Sequence, residues 1–409
     1  MRYVLGVDVG ATRTAAAVSR HAEGSWDEPQ PASLDGGRWV ESVLHVSPEG
    51  VLAGGSARRL GLAEPERVAT GFLRRIGDDV PFVLGDARYR AEVLTAALAG
   101  WVADRVAEAE DGEAVQVAVT HPPGWGAHRR ALLHDALHEA GLPGALLLPS
   151  PVAAAQGHEP DVGAAIAVCR LGGEHVEATV LRRTPSGFEL VAHTEAAEPA
   201  AGAHFDDLLL RHVLGRLDEP AVAEDVAALA RLRAECTAAK ERLSSVTDVT
   251  IPAPFAAAGG VHVSRAEFER LIRPAVAGTV ALLRGVADAV PAERLAVAVL
   301  AGGSARVPLV TDLVQEALPC RVAVDADPGT ALCRGAALAA QPHPVDPPHP
   351  PEPRGSSTAL VASSPDLPAL PDDDLGPPPR RPPVEITPLE PPRTRLGRPR
   401  RATTTKDGE

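Results

Sequence analysis

The chain has 409 residues, is 45% hydrophobic and carries a formal net charge of -14. It is long enough for a large core in more than one lobe, and its acidity disfavours nucleic acid or an anionic membrane as partner. Aromatics are 3%, which leaves the core to Ala, Val and Leu, and the four cysteines (Cys169, Cys236, Cys320, Cys333) are too scattered for a disulfide framework or zinc site, fitting reduced thiols in a cytoplasm.

The opening run 2–9 is apolar and valine-rich, which reads as a buried strand and not as a cationic leader. Residues 10–14 turn it, and 15–20 return as the second strand of a hairpin. Short strands and helical stretches then alternate to about residue 110. Over 91–110, Val93, Leu94, Leu98, Val102 and Val106 recur at helical spacing. Residues 114–122 form a strand stopped by proline, and the stretch from His128 a helix closed by Gly141 and Pro143. His121, His128, His134 and His138 fall in this region without a Cys or carboxylate to complete a metal set, so they read as surface histidines.

A second cycle begins near 163, again strand, glycine turn, strand. This echo of the first hairpin is what a duplicated two-lobe domain gives. Helices are expected over 204–217, 221–244 and 264–289, with strand-like pieces over 246–263. Residues 294–318 read as strand, Gly-Gly turn and helix, followed by a short strand, a turn at Asp327–Gly329 and a closing helix. Near Gln341 the composition changes, and about half of the 40 prolines lie beyond it. Proline removes backbone donors and fixes φ, so 341–409 is expected to be a disordered, polyproline-biased tail. Its basic end, Arg380 to Lys406, is either simply solvated or a docking segment for protein partners. No stretch holds the ~18–20 apolar residues of a membrane helix.

Three separated segments place glycines between a strand and the next element: Asp8-Val9-Gly10-Ala11-Thr12-Arg13-Thr14, Leu171-Gly172-Gly173-Glu174, and Ala301-Gly302-Gly303-Ser304-Ala305-Arg306. Glycine lets backbone N–H groups approach a phosphate, and a following helix N-terminus adds a favourable dipole. An Asp at a strand end can hold Mg²⁺ through water. One such turn is ordinary; three in order over one domain are not.

Their order and wording resemble the heat-shock chaperone family typified by DnaK, within the actin, hexokinase and chaperone superfamily, over about residues 2–340. VLGVDVGATRT resembles the first phosphate loop, AVTHPPGWGAHRRALLHDALHEAGL the segment between the lobes, and RLGG the second phosphate loop. AAGAHFDDLLL, ECTAAKERLSS and VLAGGSARVPLV resemble the stretches that follow, the last two being the adenine helix and the adenosine loop. The resemblance implies an α/β, two-lobed actin-like ATPase (ribonuclease-H-like) fold over 1–340, with lobes of about 1–155 and 156–340 closing over ATP or ADP with Mg²⁺. Asp8 would sit at the metal and, with Thr12 and Glu177, serve the chemistry. Amides of Gly10, Ala11, Thr12, Gly172 and Gly173 would hold phosphates. Lys240 and Ser244 would contact ribose and adenine, and Gly302, Gly303, Ser304 and Arg306 would pack around the adenosine.

The sequence departs from that pattern where hydrolysis is organised. The second loop of the family reads Asp-Leu-Gly-Gly-Gly-Thr-Phe-Asp; here it is Arg170-Leu171-Gly172-Gly173-Glu174-His175-Val176-Glu177. The lysine of the first lobe aligns with Leu73, beside Arg74 and Arg75 as partial stand-ins, and the Glu before Pro151 is Ser150. An Arg170–Glu174 ion pair is the expected local compensation. Phosphoryl transfer to water rests on charge stabilisation and an oriented nucleophile, so ATP is expected to bind with weak or absent hydrolysis. No peptide-gripping domain follows Ala340, which removes classical folding activity from the expectation. The alternative is a pseudo-ATPase scaffold whose tail recruits partners. A sugar kinase of the same superfamily ranks last, because no catalytic Asp can be placed in a substrate loop.

Overall fold

Strands β1 (Tyr3–Val9) and β2 (Arg13–Ala22) form the expected hairpin in a computed structural model that describes residues 2–196, 201–217, 225–253 and 259–342. Every residue of β1 is buried, as in a strand covered on both faces. β3 (Gln116–His121) and β4 (Leu146–Pro149) extend the sheet in parallel on the other side of β1, in the order β4–β3–β1–β2. Short strands at Ser25–Trp26, Gln30–Pro31 and Val40–Glu41 pair with β2.

The second sheet repeats this plan. β5 (Ala165–Leu171) and β6 (Val176–Thr184) form an antiparallel hairpin, β7 (Gly187–Glu195) pairs with β6, and β8 (Leu295–Ala301) and β9 (Arg321–Val324) lie parallel beyond β5. The order is β7–β6–β5–β8–β9. The echo in the sequence is therefore a repeat in topology: a hairpin whose first strand takes two parallel strands on its other side.

The α-helices of the described residues, in chain order, are α1 (Gly54–Leu60), α2 (Ala91–Glu110), α3 (Ala127–Glu139), α4 (Ser150–Ala155), α5 (Gly202–Leu217), α6 (Val226–Leu243), α7 (Arg265–Ala287), α8 (Pro308–Ala317) and α9 (Ala331–Ala340). Two of these are opened by side-chain caps. Asp225 accepts from the amides of Ala227 and Ala228 to open α6, and Ser264 with Glu267 forms a capping box that opens α7. The expected start of the first of these, at 221, lies outside the described residues, as does the tail beyond 342. None of the described helices is long and apolar enough to cross a membrane.

Each half has its own core of aliphatic and alanine side chains, with Tyr3 and Phe72 in one and Phe205 and Phe268 in the other. α9 packs on β1, β2 and β3, so the last helix of the stretch expected in the second lobe lies on the first sheet. Two glycines permit this. A Cβ on Gly6 would sit 2.1 Å from the carbonyl oxygen of Cys333, and one on Gly335 would sit 1.8 Å from that of Ala153. This mixed α/β arrangement fits the actin-like ATPase fold.

Candidate functional site

The two hairpins end in identical turns. The Gly10 amide donates to the Arg13 carbonyl at 3.0 Å, and the Gly172 amide donates to the His175 carbonyl at 2.8 Å. Those two amides are thus engaged within their own turns. Among the described residues, the N–H groups of Ala11, Thr12, Gly173 and Glu174 have no such partner, and they are the ones free to meet an anion. The tips of the turns approach closely: a Cβ on Gly173 would lie 2.4 Å from Thr12 Oγ1. A third turn closes on the second. Gly302 has φ of +88°, and a Cβ there would meet the Leu171 carbonyl oxygen at 2.3 Å, so only glycine fits. Ser304 Oγ donates to the Gly172 carbonyl at 3.1 Å.

Together these turns surround a cleft of about 1090 Å³, a size suited to a small-molecule ligand. Every site residue picked out from the sequence lines it. Asp8, Gly10, Ala11 and Thr12 come from the first hairpin, and Gly172, Gly173 and Glu177 from the second. Lys240 and Ser244 come from the end of α6, and Gly302, Gly303, Ser304 and Arg306 from the turn after β8. Lys240 Nζ donates to the Gly202 carbonyl at 3.0 Å and lies 2.9 Å from Asp206 Oδ1. Burial raises the Asp206 carboxyl above its usual range, and Lys240 opposes that shift. Arg306 pairs with Asp327, which also meets Arg38 at 3.3 Å.

The expected Arg170–Glu174 pair does not form. Arg170 faces Glu177, its register partner across the β5–β6 hairpin, because cross-strand neighbours share a face. Its guanidinium lies 3.1 Å from Glu177 Oε1 and 3.8 Å from Asp8 Oδ1. Burial works against its charge, but Glu177 and Asp8 outweigh burial and hold Arg170 above its ordinary value. Two hydroxyls complete the cluster: Thr120 donates to Asp8, and Ser150 Oγ donates to Glu177 Oε2 at 3.0 Å. Glu174, at the turn tip, instead reaches Arg74 at 3.5 Å. Of the two arginines after Leu73, Arg74 lines the cleft, whereas Arg75 bonds the Val80 carbonyl and stacks on Phe82. His175, lowered chiefly by burial and also by Arg74, stays neutral near pH 7.

Several cleft residues had no signal in the sequence. Arg13 lies 3.6 Å above the Trp39 ring and pairs with Glu241 of α6. These partners lie far apart in the chain, and only the closed fold joins them. His121 is a further correction. It is buried and not on the surface, stacked on Trp125, while His128, His134 and His138 are exposed as expected.

The Mg²⁺ that the resemblance implies does not fit this donor set. A hard cation needs carboxylate or water oxygens free to turn to it. Glu177 instead has both oxygens engaged, by Arg170 and Ser150, and Asp8 accepts from Thr120 with the Arg170 guanidinium 3.8 Å from the same oxygen, so a cation already holds the place between them.

Comparison with known proteins agrees with the geometry. A family model described as Hsp70 protein matches residues 80–344. The chain is 28% identical over 357 residues to the "Chaperone protein DnaK" of Elusimicrobium minutum (strain Pei191), covering 83% of this chain and 58% of that protein. It is 26% identical over 358 residues to the protein of the same name from Nitrosopumilus maritimus (strain SCM1), covering 83% and 56%. The chain thus spans a little over half the length of these relatives. With the repeated sheets, the three glycine turns and this match together, the chain belongs to the Hsp70 family and carries that family's nucleotide-binding domain.

Proposed function

We propose that the cleft binds an adenine nucleotide, ATP or ADP, and turns it over slowly or not at all. The observation that carries this is the convergence of three glycine turns, two of them with unengaged amides, on a cleft that also holds Lys240, Ser244 and Arg306. The amides of Ala11, Thr12, Gly173 and Glu174 hold phosphate oxygens, and Gly302, Gly303, Ser304 and Arg306 flank the nucleoside. Slow turnover follows from Arg170 and His175, which stand where the family has Asp and Thr. As a nucleotide-holding member of a chaperone family, the protein works through partners. The proline-rich stretch beyond 342 is their attachment segment.

A second reading is a scaffold whose cleft takes no nucleotide. It is favoured by the ion pairs Arg13–Glu241, Arg74–Glu174 and Arg170–Asp8, which join the two halves across the cleft without a ligand. Calorimetric titration of the purified chain with ATP and ADP separates the two. Gly303→Asp is the clean variant, because among the described residues its Cβ meets nothing closer than Arg306 at 3.8 Å; it should fold normally and lose affinity. Lys240→Ala should lose affinity too, but it also strips Asp206 of its cation. No binding at millimolar nucleotide would establish the scaffold.

A further inference from the structure

Asp8 and Arg170 hold the same place in two like-built hairpins. Each is the second residue before its turn glycine, and each is followed by a turn closed by the same glycine-amide bond. The two positions face one another across the cleft. Two carboxylates there would repel and would need a cation between them. Here one of the two is itself a cation. It is tied to Glu177 in its own hairpin and to Asp8 in the other, with side-chain exposures of only 13% for Arg170, 11% for Asp8 and 5% for Glu177.

The guanidinium is also placed to serve a ligand. Arg170 Nη2 lies 3.6 Å from where a Cβ of Gly10 would be, beside the turn whose Ala11 and Thr12 amides are free. A polyphosphate resting on those amides therefore comes within reach of a fixed positive charge. A guanidinium presents several donors in a rigid plane and binds phosphate oxygens well. A divalent cation brought to the same spot would meet that charge at close range, would find both Glu177 oxygens engaged by Arg170 and Ser150, and would have to compete with the guanidinium for Asp8.

We propose that this cleft takes its nucleotide as the free polyphosphate anion, with the Arg170 guanidinium standing permanently in the place of the divalent cation. The inference rests on the nucleotide-binding reading above and adds a regulation to it: affinity follows the metal-free nucleotide, so free Mg²⁺ weakens apparent binding by withdrawing the anion into its metal complex. The site then stays loaded when magnesium is scarce, unlike one that recognises only the metal complex.

The test is calorimetric titration of the full chain with ATP and with ADP, once in excess EDTA and once in excess Mg²⁺. Wild-type affinity should be higher in EDTA than in excess Mg²⁺. In the Arg170→Asp variant, EDTA should weaken binding by about tenfold or more relative to Mg²⁺. A direct metal readout runs beside it: titration with Mn²⁺ alone, followed by the loss of the free-ion electron paramagnetic signal. The wild type should leave that signal unchanged, and Arg170→Asp should reduce it. If wild-type affinity is equal in the two buffers or lower in EDTA, or the wild type takes up Mn²⁺ stoichiometrically, the proposal is overturned while nucleotide binding stands. If neither nucleotide binds in either buffer, both readings fall. The wild-type comparison needs no variant, so it decides the matter even if the Arg170→Asp protein misfolds.

Discussion

His121 carries a bare ring nitrogen into the core. Its Nδ1 lies 2.7 Å from the Pro122 carbonyl, which can only accept, so Nδ1 holds the proton and Nε2 is an acceptor. Among the described residues no donor reaches that buried Nε2. Burial lowers the His121 pKa and Arg130 lowers it further, against the pull of Pro122 and Glu177. The unfolded chain takes up the proton near the ordinary pH of about 6.5 and the folded chain only at lower pH, so stability is full above that value and drains away as pH falls. His158 and His175 are lowered by burial as well and share the window. Scanning calorimetry should show the midpoint falling between about pH 7.5 and about 5.5, and His121→Val should reduce that fall without abolishing it. An equal fall in the variant would mean that the other two carry the effect.

Also at the residue scale, a reverted second hairpin tests the cause of slow turnover. Arg170→Asp with His175→Thr should raise steady-state phosphate release; one such group is worth ~10²–10³, with no simple sum for two. Leu73 lines the cleft, so Leu73→Lys should raise release further. Wild-type turnover already at the level of an ordinary chaperone would refute the premise. The glycine turns are legible because glycine after a strand has few other uses when it recurs three times in order. The Arg170 pairing is not, because sequence distance favours Glu174, whereas strand register puts Glu177 on the same face.

Among the elements, the glycines divide into those the fold needs and those it tolerates. Gly335 brings α9 against the Ala153 carbonyl, while Gly278, inside α7, has none of the described residues within 4 Å of an added Cβ. Gly278→Ala should raise stability by roughly 0.5–1 kcal/mol through helix propensity and a stiffer unfolded chain. Gly335→Ala must push α9 off α4 and should cost well over 1 kcal/mol, as overpacking does. Denaturant unfolding of the two variants checks the contrast, and equal effects would show that α9 has slack. Element types were readable because a 20-residue run with Leu94, Leu98, Val102 and Val106 at helical spacing, as in α2, and an all-apolar strand such as β1 admit few alternatives, although Val93, read with the same face, is exposed. The sheet that α9 joins was not readable. The helix follows β9 directly in sequence, and it is the glycine contact with β1 that draws it back.

On the scale of the whole folded unit, three ion pairs among the described residues join an arginine of the first half to a carboxylate of the second: Arg13–Glu241 and Arg74–Glu174 in the cleft lining, and Arg38–Asp327. All are partly exposed, so each contributes only ~0–1 kcal/mol. Raising salt from about 0.05 M to about 1 M shortens the screening length to ~3 Å and should loosen this latch. Hydrogen exchange at the Ala11–Thr12 and Gly173–Glu174 turns should then quicken while the thermal midpoint barely moves. Unchanged exchange would mean that packing, not charge, holds the cleft shut. The return of α9 to the first sheet has a mechanical corollary. Gln341 donates to Ser19 of β2, and His21 donates to the Arg2 carbonyl, so both ends of the described fold are anchored to one sheet. A stretching force applied at those ends loads the seam between α9 and β1 first. The second half, with its own sheet and core, stays out of the line of tension until that seam has torn.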